Sequence, residues 1–153
     1  VPTALVNVAP ADARSLGRRM VWHGVLLFLL GLGIGILVPA FANPRMGLSA
    51  HVGTVLNAAV LIALGAAWSA IALSARAQRA AFGLLIWGSY GGCAGLVLAA
   101  IFNTQASTPI NGAPHPAAWW QEALVYVTLS IPGVAVIVGT IIALRGYGRV
   151  ASR

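Results

Sequence analysis

The chain has 153 residues, 59% of them hydrophobic and 7% charged, with nine Arg and no Lys set against two acids, Asp12 and Glu122, for a net charge of +7. An ordinary soluble domain carries about 25% charged residues, so this composition excludes a soluble globular domain, and its hydrophobicity excludes a disordered chain. Nine Arg dispersed among apolar blocks do not form the dense phosphate-contacting patch of a nucleic-acid binder. What remains is a polytopic membrane protein with the lipid bilayer as its main partner and no nucleic-acid partner. A single cysteine, Cys93, forbids an intrachain disulfide or a Cys-based metal cluster, and no Cys-x-x-Cys-His is present for covalent haem attachment.

In chain order, residues 1–19 form an Ala/Pro-rich tail, expected to be poorly ordered or to lie along the membrane; Asp12 falls in it and is given no chemistry. Four apolar blocks then follow, each long enough for the roughly 20 residues a helical span needs. They run from about Val21 to Phe41, Leu48 to Leu73, Ala81 to Phe102 and Ala118 to Leu144. The turn-forming cluster Asn43-Pro44-Arg45-Met46-Gly47 separates the first two, and the small basic loop from Ser74 to Arg79 separates the next pair. The connection from Asn103 to Pro116 is longer, and Pro109, Gly112, Pro114 and Pro116 break any helix there. The first block is too long for a signal-peptide core and no cleavage site follows it, so a cleaved leader is not expected. The expected fold is all-α, a four-transmembrane-helix bundle over residues 20–146, with a short tail at 147–153.

The Arg residues give the direction. Arg14, Arg18 and Arg19 precede the first span, Arg76 and Arg79 lie between the second and third, and Arg145, Arg149 and Arg153 follow the fourth. With four spans these three segments share one side, and only Arg45 is on the other. The positive-inside rule therefore places both termini in the cytoplasm, as expected for a multi-pass protein of the bacterial inner membrane. Closely spaced Gly31, Gly33 and Gly35 in the first span, and Gly88, Gly91, Gly92 and Gly95 in the third, suit close helix packing. So thin a bundle makes a homo-oligomer plausible.

Ionisable residues inside spans are costly and are functional candidates by default. His51 lies about one turn into the second span, Asn57 is ~9 Å deeper, and Glu122 opens the fourth span beside Trp119, Trp120 and Gln121. Asn103 reaches the same level, and Asn111 and His115 lie in the loop above, so these residues converge on the outer leaflet. His51 reads as a haem or metal ligand or as a hydrogen-bonded interfacial His; Asn57 as an inter-helix hydrogen-bonder or a substrate contact. Glu122 is either a carboxylate favoured by the helix dipole or a catalytic acid. Trp119 and Trp120 suit an aromatic belt, His115 an exposed loop, and Trp87, Tyr90 and Cys93 core packing. His23 lies near the cytoplasmic start of the first span, separated from His51 by nearly the membrane thickness, so the pair cannot ligate one iron within a protomer. His51 alone would leave an open coordination position, as catalysis requires. Asn57 points ~120° away from His51 around the helix; one flat haem lying edge-on across the helix could meet both, or it could lie between two protomers that each supply one residue, the geometry preferred here.

The stretch Trp22-His23-Gly24-Val25-Leu26-Leu27-Phe28-Leu29-Leu30-Gly31, the block Asn43-Pro44-Arg45-Met46-Gly47-Leu48-Ser49-Ala50-His51 running on to Leu56-Asn57, and Trp120-Gln121-Glu122-Ala123-Leu124-Val125 resemble the hydroxylaminobenzene mutases, small bacterial membrane enzymes of nitroarene degradation. The likeness spans about residues 19–147. A more distant resemblance is to styrene oxide isomerase, a trimeric four-span bundle that uses haem b as a Lewis acid. That family has a His-Gly near the start of its first span, like His23-Gly24, and a haem-ligating His followed six residues later by a substrate-contacting Asn. The resemblance implies a non-covalent haem b with His51 as axial iron ligand, His23 as a further cofactor contact, and Asn57 as a substrate-orienting group. It implies a homotrimer and an intramolecular mutase that turns a small aryl hydroxylamine into 2-aminophenol, with Glu122 as a proton shuttle or cation stabiliser. The isomerase family's functional Tyr in the third span falls here at Val97 or an apolar neighbour. This departure puts the epoxide isomerase reaction in doubt, though that reaction is retained as the alternative. An electron-transfer haem subunit and a small exporter using Glu122 are the rival classes.

Overall fold

A computed structural model describes residues 11–112 and 117–151. The expectations for the first ten residues, for His115 and for the last two residues lie outside the described residues. Among the described residues there are four long helices: α1 (Ala11–Leu37), α2 (Pro44–Ala67), α3 (Ala75–Phe102) and α4 (Trp119–Ala151). Short 3₁₀ turns at Val38–Ala40 and Trp68–Ala70 extend α1 and α2. All four helices are long and apolar enough to cross a membrane, over Ala13–Ala40, Pro44–Ala70, Ala75–Phe102 and Trp119–Tyr147. Their outward faces carry large apolar side chains, among them Leu29, Ile36, Leu56, Ile131 and Leu144, which only a lipid surface or another protein would cover.

The ends of the helices follow local sequence. Asn43 caps α2: its Oδ1 accepts the N–H of Met46 at 3.0 Å, and Pro44 occupies the first helical position, where no N–H is needed. Ser74 caps α3 through the N–H of Ala77. Asn103 closes α3 in the left-handed conformation (φ 56°), a position Asn tolerates better than most residues. At the start of α4, Gln121 reaches back to accept the N–H of Ala118 at 2.9 Å, half of a capping box.

α1, α2 and α3 begin earlier than their apolar blocks and α4 ends later than its own, whereas α1 and α2 stop short of the expected Phe41 and Leu73. α1 starts at Ala11, so much of the expected tail is helix, with Ala13 and Gly17 buried; α3 starts at Ala75 and α4 runs to Ala151. Hydropathy marks the lipid-facing length only, and the Arg-bearing turns beyond it are helical as well. The four helices run up and down. Arg14, Arg18, Arg19, Arg76, Arg79 and Arg145 gather at one end, the Arg-rich end, and Arg45 and the described part of the connection, residues 103–112, lie at the other, the loop end.

Packing is in two pairs. α1 lies most extensively on α2 and α3 on α4, and α2–α3 contacts join the two pairs. Gly17, Gly24 and Gly31, spaced by seven, form the α1 side of the first seam. A Cβ added at each would come within 2.6–2.8 Å of Gly65 O, Ile62 or Val55. The second seam is built on Gly88, Gly91 and Gly95, which face Pro132, Val136 and the 128–129 backbone and side chains of α4. Pro132 sits inside α4, and lacking an N–H it leaves one carbonyl a turn earlier without its helical donor. Gly33 and Gly92, expected with the packing glycines, meet nothing within 4 Å. The main core (Met20, Leu27, Leu61, Trp68, Leu85 and neighbours) fills the Arg-rich half, and a smaller one (Met46, Ala99, Ala100, Val125) the loop half.

Candidate active site

His51 sits on the flank of α2 that faces α1. Its Nδ1 donates to the carbonyl oxygen of Gly31 at 2.8 Å. A carbonyl only accepts, so Nδ1 carries a ring proton, and in the neutral imidazole Nε2 then keeps its lone pair. The half-buried imidazole lines a cleft of about 490 Å³ together with Leu32, Gly35, Ile36, Val38, Pro39 and Leu48. Gly35 makes room for the ring, since a Cβ there would lie 2.7 Å from Nδ1. The result is an oriented imidazole with a free basic nitrogen in an otherwise apolar cleft.

Among the described residues no cluster of three His, Cys, Asp or Glu could hold a bare metal ion. A lone imidazole suits a metal that brings its own equatorial ligands, as the iron of haem b does. A ring N–H held by a backbone carbonyl is the usual support for a metal-ligating His. On both counts His51 fits the iron of a haem, and the cleft walls are apolar enough for a porphyrin.

Asn57 is half-buried and makes no hydrogen bond among the described residues. It lies four residues past Gly53, which faces Leu96 of α3, so its flank of α2 is the α3 side. Asn57 does not line the His51 cleft. Within one chain the two residues are on opposite flanks, as the ~120° between them requires.

His23 is tied to α3. Its Nδ1 lies 3.3 Å from the Tyr90 hydroxyl, which donates to the His23 carbonyl at 3.4 Å, and the ring meets Trp22, Phe82 and Tyr90 edge-on. The α1–α2 register sets His51 level with Gly35, twelve residues and ~18 Å along α1 from His23. The separation is shorter than the sequence suggested, yet it still keeps the two from one iron within a chain. Trp87, expected in the core, is 54% exposed, whereas Tyr90 and Cys93 pack against the main core.

Glu122 holds the outer loop. Its Oε1 accepts the N–H of Gln105 at 2.9 Å and its Oε2 that of Ala106 at 3.0 Å. Asn43 Nδ2 donates to Asn111 O at 2.6 Å, and Asn111 Nδ2 donates to Ser49 Oγ at 2.9 Å. The loop is thus fastened to the first turns of α2 and α4. Trp119 is 82% exposed at this level and Trp120 stacks edge-on against Phe102, which suits an interfacial belt. Glu122→Gln keeps one acceptor and leaves one loop amide unpaired. It should cost about 1–2 kcal/mol, read as a lower thermal midpoint in detergent; an unchanged midpoint would mean the clamp carries no stability.

Sequence reasoning named Gly35 as a packing glycine but not as the neighbour of His51, and it missed the Gly31 carbonyl. The seven-residue spacing of Gly17, Gly24 and Gly31 was the available signal for this seam, and it leads to the helix face on which His51 finds its acceptor.

The fold and the site together define a small four-span membrane-type bundle with a single oriented imidazole in an apolar cleft. The sequence pattern of styrene oxide isomerase matches residues 16–147, and the chain belongs to that family. It is 36% identical over 145 residues to hydroxylaminobenzene mutase HabB of Ectopseudomonas oleovorans, covering 94% of this chain and 88% of the relative. It is 38% identical over 127 residues to hydroxylaminobenzene mutase HabA of the same organism, covering 82% of this chain and 94% of the relative. No solved structure gives a significant match. The protein is an isomerase of the mutase type.

Proposed function

We propose that this protein rearranges hydroxylaminobenzene, or a substituted aryl hydroxylamine, to the corresponding 2-aminophenol with the help of haem b. The observation that carries the reading is the His51 imidazole, fixed by Gly31 O with Nε2 free over an apolar cleft, in a chain similar to two hydroxylaminobenzene mutases. The conversion is an isomerisation. The N–O bond breaks, a C–O bond forms at the ortho carbon, and the proton lost from that carbon as aromaticity returns is matched by one taken up at nitrogen, so no external oxidant or reductant is consumed.

His51 would hold the haem through Nε2. Haem b, when bound, supplies a Lewis-acidic ferric iron with one open position. Asn57, whose amide has no partner of its own, orients the substrate by hydrogen bonding. Leu32, Ile36, Val38 and Leu48 exclude water and so suppress its addition at the para carbon. Glu122 acts by holding the outer loop in place over this end of the bundle, and no proton step is assigned to it. His23, committed to Tyr90, lies outside this scheme within one chain. Because His51 and Asn57 lie on opposite flanks of α2, a site closed by a second copy is favoured, and a homotrimer belongs to this reading. The Arg-rich end is the cytoplasmic side of the inner membrane on the same reading.

The test is a spectrum and a product assay on the purified protein. A Soret band that shifts on adding hydroxylaminobenzene, with 2-aminophenol as product, is the expected result. Turnover without any Soret band would remove the haem, and turnover of aryl epoxides alone would move the substrate to the epoxide class.

A further inference from the structure

We infer that Arg45 anchors a propionate of the haem. The inference rests on the haem reading above and adds a residue that neither the cleft nor the mechanism has used. Haem b carries two carboxylates, and a carboxylate left in hydrocarbon is costly. The propionates of a haem held by His51 must therefore point to the nearer polar boundary. His51 is seven residues past Pro44 and nineteen before Ala70, or ~10 Å from one boundary and ~28 Å from the other. The nearer boundary is the loop end.

Among the described residues, Arg45 is the one basic side chain at that end, the other Arg lying at the Arg-rich end. It stands in the first turn of α2, three residues before Leu48, which stands three before His51. Leu48 and His51 both line the cleft; Arg45 is six residues before His51, so its Cα lies ~9 Å nearer the loop end and ~120° around α2, beyond Leu48 on the same side, from where a long Arg side chain reaches back toward the cleft. Its side chain is exposed and has no ion-pair or hydrogen-bond partner among the described residues. Glu122 forms no ion pair with it among the described residues; its two oxygens accept the N–H groups of Gln105 and Ala106 instead. The backbone at Arg45 is fixed by Ser49, whose hydroxyl donates to Arg45 O and accepts from Asn111. A planar guanidinium on a fixed turn is suited to a carboxylate, which it can bind through two parallel hydrogen bonds.

The test compares haem b with its dimethyl ester, in which both propionates are neutral, by titrating each into full-length protein prepared under haem limitation and reading the Soret band. Wild-type protein should bind haem b roughly tenfold more tightly than the ester. Arg45→Ala should weaken haem b to the level of the ester while leaving the ester's own affinity unchanged, and Arg45→Lys should keep part of the preference. A merely structural role for Arg45 would weaken both porphyrins alike, and that result overturns the inference. So does a wild-type protein with no preference between the two, a result that needs no variant to fold. A wild-type protein that binds neither porphyrin overturns the haem reading, and this inference with it.

Discussion

His51→Gly should abolish the Soret band of the purified protein and lower turnover by roughly a hundredfold or more, and added imidazole should restore part of both. The expectation follows from the setting of the group: among the described residues no group of three His, Cys, Asp or Glu could hold a metal ion in its place. His23, the one other described His, is paired with Tyr90 of α3, ~18 Å along α1 from the level of His51. Removing the ring leaves the cleft of Leu32, Gly35, Ile36 and Leu48 without a ligand atom. Exogenous imidazole fits the vacated space and can donate to the same Gly31 carbonyl. Rescue separates loss of a ligand from loss of the fold, since a misfolded variant would not respond. Full absorbance and full turnover in the variant would place the haem elsewhere.

Gly35→Ala should be nearly as damaging although residue 35 carries no chemistry. The new Cβ would lie 2.7 Å from His51 Nδ1 and 2.9 Å from Cε1. Relief requires that the ring swing away or that α1 and α2 separate. A swing breaks the 2.8 Å bond to Gly31 O, leaving a ring donor unpaired at a cost of about 1–3 kcal/mol. Separation overpacks a seam that is otherwise backbone against backbone, again about 1–3 kcal/mol. The expected outcome is a thermal midpoint lower by several degrees, together with a weakened or displaced Soret band. Gly33→Ala is the control. Its Cβ would meet nothing within 4 Å, and both readouts should stay at wild-type values. Equal behaviour of the two variants would show that His51 does not depend on contact with α1.

The four spans were legible because a membrane helix announces itself by length and hydropathy, and the turns by Asn43-Pro44, Ser74 and Asn103, each of which caps or ends a helix as its chemistry suggests. The early start of α1 was hidden because Arg14, Arg18 and Arg19 interrupt the apolar run without interrupting the helix. His51 was legible as an unusual residue in an apolar block. Its tautomer was not, because the acceptor on Gly31 is twenty residues away in sequence. Glu122 shows the same limit. Its position at the start of α4 was plain, but its two partners are backbone groups of a loop sixteen and seventeen residues earlier, and backbone groups leave no mark in a sequence.

The paired arrangement of the helices also divides the molecule mechanically. Within each hairpin, glycines let one backbone rest on the other, a joint with few rotamers to rearrange and hence little give. Between the hairpins, α2 meets α3 through side chains such as Leu96 against Gly53, and such a joint can yield by rotamer changes. Asn57 lies on the α3-facing flank of α2, at that compliant joint, with no hydrogen bond to restrain its amide. His51 lies on the stiff joint, locked to Gly31. The fold thus gives the His51 imidazole a fixed mount and the Asn57 amide a sprung one.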